Sequence, residues 1–125
     1  MPRRDFLRRE DGSLTVLNLF LILIVMMVCG VAVDVVRHEA LRARVQNTLD
    51  RAILAAADMS QKLTAAEVVY SYFEKAGLEE YYSEPHVEIG FNAKTVSGTA
   101  TGWMDTFFMN MLGVSQLQTV AAGTA

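Results

Sequence analysis

Cysteine, proline and, in the distal half, basic residues are scarce, and each scarcity excludes something. Among 125 residues there is one cysteine, Cys29, so neither a disulfide framework nor a cysteine-ligated metal site can be built. Cys29 lies inside an apolar run, where it reads as a small lipid-facing or helix-packing residue. The lipidated-cysteine reading fails because Val28 stands where a small residue would precede the cysteine. Of the two histidines, His38 has no His or Cys partner nearby and reads as a surface residue. The prolines are Pro2 and Pro85, and neither Pro nor Gly occurs between Val31 and Ala76, so nothing there interrupts a helix. Beyond Lys62 only Lys75 and Lys94 oppose Glu67, Glu74, Glu79, Glu80, Glu84, Glu88 and Asp105. That acidic balance argues against a nucleic-acid partner, which needs a clustered basic face.

Catalytic signatures are also missing. The distal half holds no HExxH, no GxSxG, no phosphate-cradling glycine loop and no Cys/His cluster. His86 and Glu88 would share one face of a strand, but without a third ligand or a nucleophile beside them they do not form a catalytic unit. Glu79, Glu80 and Glu84 read as a solvated acidic face, lacking the loop spacing of an EF-hand. The expectation is a chain with no catalytic residues, no metal and no cofactor.

What is present is a long apolar run. Leu14–Val33 is twenty residues without a formal charge, with Thr15 and Asn18 as its clearly polar members. At roughly 1.5 Å per residue it reaches about 30 Å, the thickness of a bilayer's hydrocarbon core. A core helix of a small soluble domain would keep one polar face, and this run is apolar all round. It reads as a single membrane anchor. Arg3, Arg4, Arg8 and Arg9 precede it and favour a cytoplasmic N-terminus. Arg37, Arg42, Arg44 and Arg51 on the far side weaken that bias. A cleaved signal ending at Gly30-Val31-Ala32 is the alternative. The length of the run and the helical pattern that continues past Ala32 oppose it. Asp34 has Arg37 and His38 within pairing reach, and Asp34 with Arg37 reads as a solvated pair of charges marking the membrane boundary.

Past the anchor the apolar spacing becomes amphipathic. Leu41, Val45, Leu49, Ala52/Ile53, Ala56, Met59 and Leu63 recur at three- and four-residue steps. Anchor and stem together predict one helix of about fifty residues, roughly 75 Å long. Thr64-Ala-Ala-Glu67 has the form of a capping box, so a second helix starts there, with Gly77 placed to end it. From Val87 to Phe91 the period is two, Asn92-Ala93-Lys94 can turn the chain, and Thr95–Gly102 returns as a second strand. Trp103–Leu112 reads as a short helix closed by Gly113, and Leu117–Ala122 as a third strand. The cluster around Trp103, Phe107 and Phe108 has two readings, core packing or in part a surface for a neighbouring subunit.

The fold class is therefore α+β. A single N-terminal transmembrane helix continues into a long amphipathic stem helix, packed on a small antiparallel sheet with a second helix. The expected divisions are a basic leader at 1–12, the transmembrane helix at 13–36, the stem at 37–63 and a small α+β domain at 64–125.

These residues carry a family resemblance. The Arg-rich leader, Glu10-Asp11-Gly12-Ser13, the apolar run and Asp34-Val-Val-Arg37 resemble the start of TadE/TadG-like proteins of the tight-adherence (Flp) pilus machinery. The stem from Ala43 to Ala57, with Gln46, Asn47, Leu49, Asp50, Ala52, Ala55, Ala56 and Ala57, is similar to that family's Ala-rich "LQnAlDAAALAAA" segment. Residues 99–125 resemble it more weakly. The resemblance implies a pilin-like fold and a non-enzymatic component of pilus assembly, a minor pilin, pseudopilin or scaffold. It would be held in the inner membrane with its domain in the periplasm or carried into the fibre. Its partners would be other pilus and secretion-platform proteins, with homo- or hetero-oligomers formed through helix packing. It also implies a prepilin-peptidase junction at Gly12–Ser13, although Leu17 stands where the pilin-type pattern places a glutamate.

Gly30 and Ala32 would supply a small contact patch in lipid, and Ala52, Ala55, Ala56 and Ala57 a close approach for another helix outside it. On that view Ala56→Trp disrupts assembly without unfolding the domain. The alternative function is a membrane-tethered extracytoplasmic binding module unrelated to a pilus.

Overall fold

The computed structural model describes residues 5–125, with side chains from Gly12 onward. The side chains of Arg3, Arg4, Arg8 and Arg9, on which the expected orientation rests, lie outside the described residues. Helix α1 runs from Asp5 to Ala57, 53 residues without a break. At roughly 1.5 Å per residue this is about 80 Å, far more than a bilayer's thickness, so its C-terminal half projects beyond any membrane the first half crosses. Anchor and stem are one helix, as the absence of Pro and the continuous periodicity predict.

The helix stops earlier than the stripe of apolar residues suggests. Asp58 Oδ1 accepts from the Ser60 backbone N–H at 2.8 Å and from the Ser60 hydroxyl at 2.7 Å, a local turn that competes with helix. These bonds hold the Asp58 carboxyl below its ordinary pKa. Met59 and Leu63 consequently leave the stripe and are exposed. Helix α2 spans Ala65–Ala76. Both halves of its capping box are made, the Thr64 hydroxyl accepting from Glu67 N–H and the Glu67 carboxylate accepting from Thr64 N–H at 2.9 Å. Gly77 closes it in the left-handed region at φ 69°, a conformation that costs other residues a Cβ clash.

A 3₁₀ turn at Glu79–Tyr81 leads to three strands, β1 (His86–Ile89), β2 (Lys94–Asp105) and β3 (Gln116–Thr124). They form an antiparallel meander in the order β1-β2-β3. The short helix expected at Trp103–Leu112 is not formed as such. Trp103 and Asp105 continue β2, opposite Gln118 and Gln116, and only Met109–Leu112 make a 3₁₀ turn. The period-two alternation of Gly102, Trp103, Met104 and Asp105 carries the strand past the expected end.

The face of the sheet turned to α1 is built from small residues. Gly98 pairs with Gly123, Ala100 with Ala121 and Gly102 with Thr119. An added Cβ at Gly123 would fall 2.6 Å from Ile53 Cδ1 and 2.9 Å from Asp50 Oδ1, so the helix lies almost against the strand backbone. The core between α1, α2 and the sheet holds Val45, Leu49, Ile53, Val69, Phe73 and Val96, all buried. Two polar bonds fix the register of α1 on β3. His38 Nε2 donates to Gln118 O at 3.0 Å and Gln46 Nε2 donates to Ala122 O at 3.0 Å. The helix advances about 12 Å between those residues and the strand about 13 Å between theirs, so the two spacings match.

Candidate functional site

Strand β2 leaves the sheet into a loop at residues 106–115 that carries no formal charge. Thr106 closes its base: the backbone N–H donates to Ser115 O at 3.0 Å and the hydroxyl donates to Val114 O. Gly113 turns the chain at φ 92°. The loop is thereby folded on itself and leans against α1.

Its attachment is Asp34. This carboxylate is fully buried and accepts three backbone N–H groups, from Phe107 at 3.1 Å, Phe108 at 2.7 Å and Met109 at 2.8 Å. Such charge-assisted bonds are shorter and stronger than neutral ones. Arg37 lies 3.9 Å from Asp34 and stacks 4.6 Å over the Phe107 ring, a cation–π contact on the same clasp. Asp34 is therefore not the solvated boundary charge expected from its place in the sequence. Besides its helical neighbour Arg37, its hydrogen-bond partners are amides more than seventy positions away.

The second point of attachment is Gly30. It is buried beneath Phe108, whose side chain occupies the space a Cβ would take. Gly30 is thus used within the chain and does not offer the small contact patch to a second helix that its position suggested. The rest of the apolar run is bare: Leu14, Val16, Leu17, Phe20, Ile24 and Val28 are all more than half exposed. Among the described residues this is the one helix long and apolar enough to cross a membrane.

The residues singled out in the sequence separate. Gly12 and Ser13 lie exposed within α1. Gln46 bridges to Asp50 Oδ1 at 2.8 Å as well as to β3, while Asn47 faces outward. Leu49, Ala52 and Ala56 are buried in the chain's own core, and Ala55 and Ala57 are partly covered by it. A partner helix cannot pack on Ala52 and Ala56, because α2 and the sheet already do. Trp103 and Phe107 come together on a groove of about 670 Å³, also lined by Arg37, Arg44, Tyr81 and Asp105. Phe108 is not part of it and turns to Gly30. Burial, reinforced by Glu80 and Asp105, pushes the Tyr81 phenol above its ordinary pKa, and its hydroxyl donates to Trp103 O at 3.3 Å. His86 and Glu88 lie 3.6 Å apart with both side chains exposed. Among the described residues no group of three His, Cys, Asp or Glu is placed to hold a metal ion.

Residues 12–59 match the family model described as "Tad: Putative Flp pilus-assembly TadE/G-like". The resemblance carried by the anchor and stem is thus met again over that part, which is less than half of the chain. The match covers the helix and its Asp34, and stops before the sheet and the loop that clasps it. No curated protein and no solved structure matches the chain.

Proposed function

We propose that this chain is a non-enzymatic, membrane-anchored component of Tad/Flp pilus assembly. In this reading residues 1–12 face the cytoplasm, 13–36 cross the inner membrane and 37–125 stand in the periplasm. One observation carries the proposal: the segment that matches the pilus-assembly family is a single helix, bare and apolar in its first half and the central core element of the domain in its second. Anchor and domain therefore move as one body, as a subunit held at a fixed height above the membrane must. The groove beside Trp103, Phe107, Arg37 and Arg44 is the surface offered to pilus or platform partners.

Deleting the gene and complementing it with W103A tests this. Loss of surface pili on deletion, and failure of W103A to restore them while still accumulating in the membrane, is the expected pair of results. Normal piliation in the deletion strain contradicts the proposal. Minor pilin and scaffold differ by one covalent fact. A mature N-terminus at Ser13 makes it a subunit able to enter the fibre, and an intact leader makes it a permanent part of the platform. Leu17 supports the second, since it cannot pair with a neighbour's free amine as a glutamate would. The same groove favours the other reading, a tethered binding module. In that case a small molecule raises the thermal midpoint of the full chain and W103A abolishes the rise.

A further inference from the structure

The loop at 106–115 presents apolar side chains that its own fold leaves open. Phe107 is 69% exposed, Met111 82% and Leu112 53%. Their height is fixed by the clasp. The loop sits on α1 at Gly30 and Asp34, and Gly30 lies three residues, about 5 Å, inside the end of the uncharged run at Val33. The loop therefore meets the helix at the level where an embedded anchor would leave the hydrocarbon.

Two further features suit that level. The Asp34 carboxylate has three N–H donors and Arg37 around it, so this buried charge is compensated even where hydrocarbon lies beside it. Arg37, one turn beyond Val33, holds its guanidinium on the Phe107 ring, so the loop carries a cation beside its apolar side chains, the pairing found at membrane interfaces. Among candidate occupants of this surface, lipid is the one the covalent chain itself places there, because the anchor holds the loop against a bilayer without any association step.

We infer that loop 106–115 is a membrane-contacting finger, with Met111 and Leu112 seated among the headgroups and first acyl carbons of the leaflet from which the domain emerges. The apolar surface is covered by lipid, as in an interfacial segment. The domain is then fixed to the membrane at two places, through the anchor and through the finger, and cannot swing about the helix axis. This inference rests on the reading of α1 as a membrane span, and its test separates the two.

The full chain is reconstituted in phosphatidylcholine–phosphatidylglycerol vesicles as W103F, removing the single tryptophan, and one tryptophan is returned by M111W, F20W or V120W. Lipids brominated near the headgroup end or near the tail end of the acyl chain serve as quenchers. The expected result is a blue-shifted M111W emission quenched most by shallow bromines, F20W quenched most by deep ones, and V120W quenched by neither. Quenching of F20W with a red-shifted, unquenched M111W overturns the inference and leaves the anchor intact. A blue-shifted but unquenched M111W, seen together with chemical cross-linking between copies, assigns the surface to a second copy and also overturns it. An unquenched F20W overturns the anchor and the finger together. A polarity-sensitive label on L112C in the C29S chain, which keeps Trp103, gives the same reading should W103F misfold.

Discussion

A side chain on Gly30 would collide with Phe108: a Cβ there falls 2.9 Å from the Cβ of Phe108 and closer still to its ring. The one buried glycine of the apolar run and the aromatic residue of a distant loop are thus fitted to each other. With Asp34 one turn further along, they join the domain to the anchor.

Gly30→Ala should release the loop. Alanine favours helix over glycine by about 1 kcal/mol, whereas overpacking costs about 1–3 kcal/mol, so the clash outweighs the propensity. Limited proteolysis within residues 106–115 should accelerate while the amides of α2 keep their protection. The double variant Gly30→Ala/Phe108→Ala should recover part of the loss, because the ring that collides is gone.

Asp34→Asn should be nearly as damaging as Asp34→Ala. Three N–H groups converge on two carboxylate oxygens, and an amide replaces one of those acceptors with a donor. Thermal midpoints of the full chain in detergent give the comparison. If asparagine restores the wild-type midpoint, the bonds matter less than the shape of the side chain.

Thr64→Ala should cost about 1 kcal/mol through loss of the cap, and should also change the response to acid. Hydrogen bonds from the Thr64 backbone and hydroxyl lower the Glu67 pKa. A carboxylate whose folded pKa lies below its unfolded one contributes stability above the unfolded value and loses it as pH falls through the folded value. Urea midpoints measured downward from pH 5 or so, through the range where carboxylates protonate, should fall less steeply for Thr64→Ala than for the wild type.

Thr119→Val should stabilise the domain. The Thr119 hydroxyl is fully buried, and among the described residues its Oγ1 has no hydrogen-bond partner. Removing an unsatisfied buried hydroxyl is worth about 1–3 kcal/mol in mutational data. A higher urea midpoint with an unchanged slope is the expected result.

Ala56→Trp should unfold the domain, because Ala56 is fully buried between the helices and no space exists for an indole. Loss of partner binding in that variant would say nothing about a docking face on the stem. Circular dichroism of the purified variant checks this before any assembly assay.

Much of the fold was legible because its cues are local. The capping box at Thr64, the glycine at residue 77, the uninterrupted periodicity of α1 and the alternation of β1 and β2 each require only near neighbours. The two main departures are long-range. Trp103 to Leu112 looks helical by composition, yet pairing of Asp105 with Gln116 draws the strand onward. Asp34 looks like a solvated boundary charge by its helical neighbours, yet its partners are amides of a loop near the other end of the chain. His38 likewise reads as a surface residue until β3 is laid beside it. One signal did point to the clasp. Gly30 is an isolated glycine inside a helix, followed at i+4 by a lone acid, and an intra-helix glycine often marks a close approach of another segment.

The most direct test of this account is amide hydrogen exchange at Phe107, Phe108 and Met109 in the full chain held in lipid nanodiscs. The clasp predicts slow exchange at all three in the wild type and fast exchange in Asp34→Ala, with the amides of α2 unchanged in both. Fast exchange at these positions in the wild type would contradict it, and would leave the domain free of its anchor beyond the helix they share.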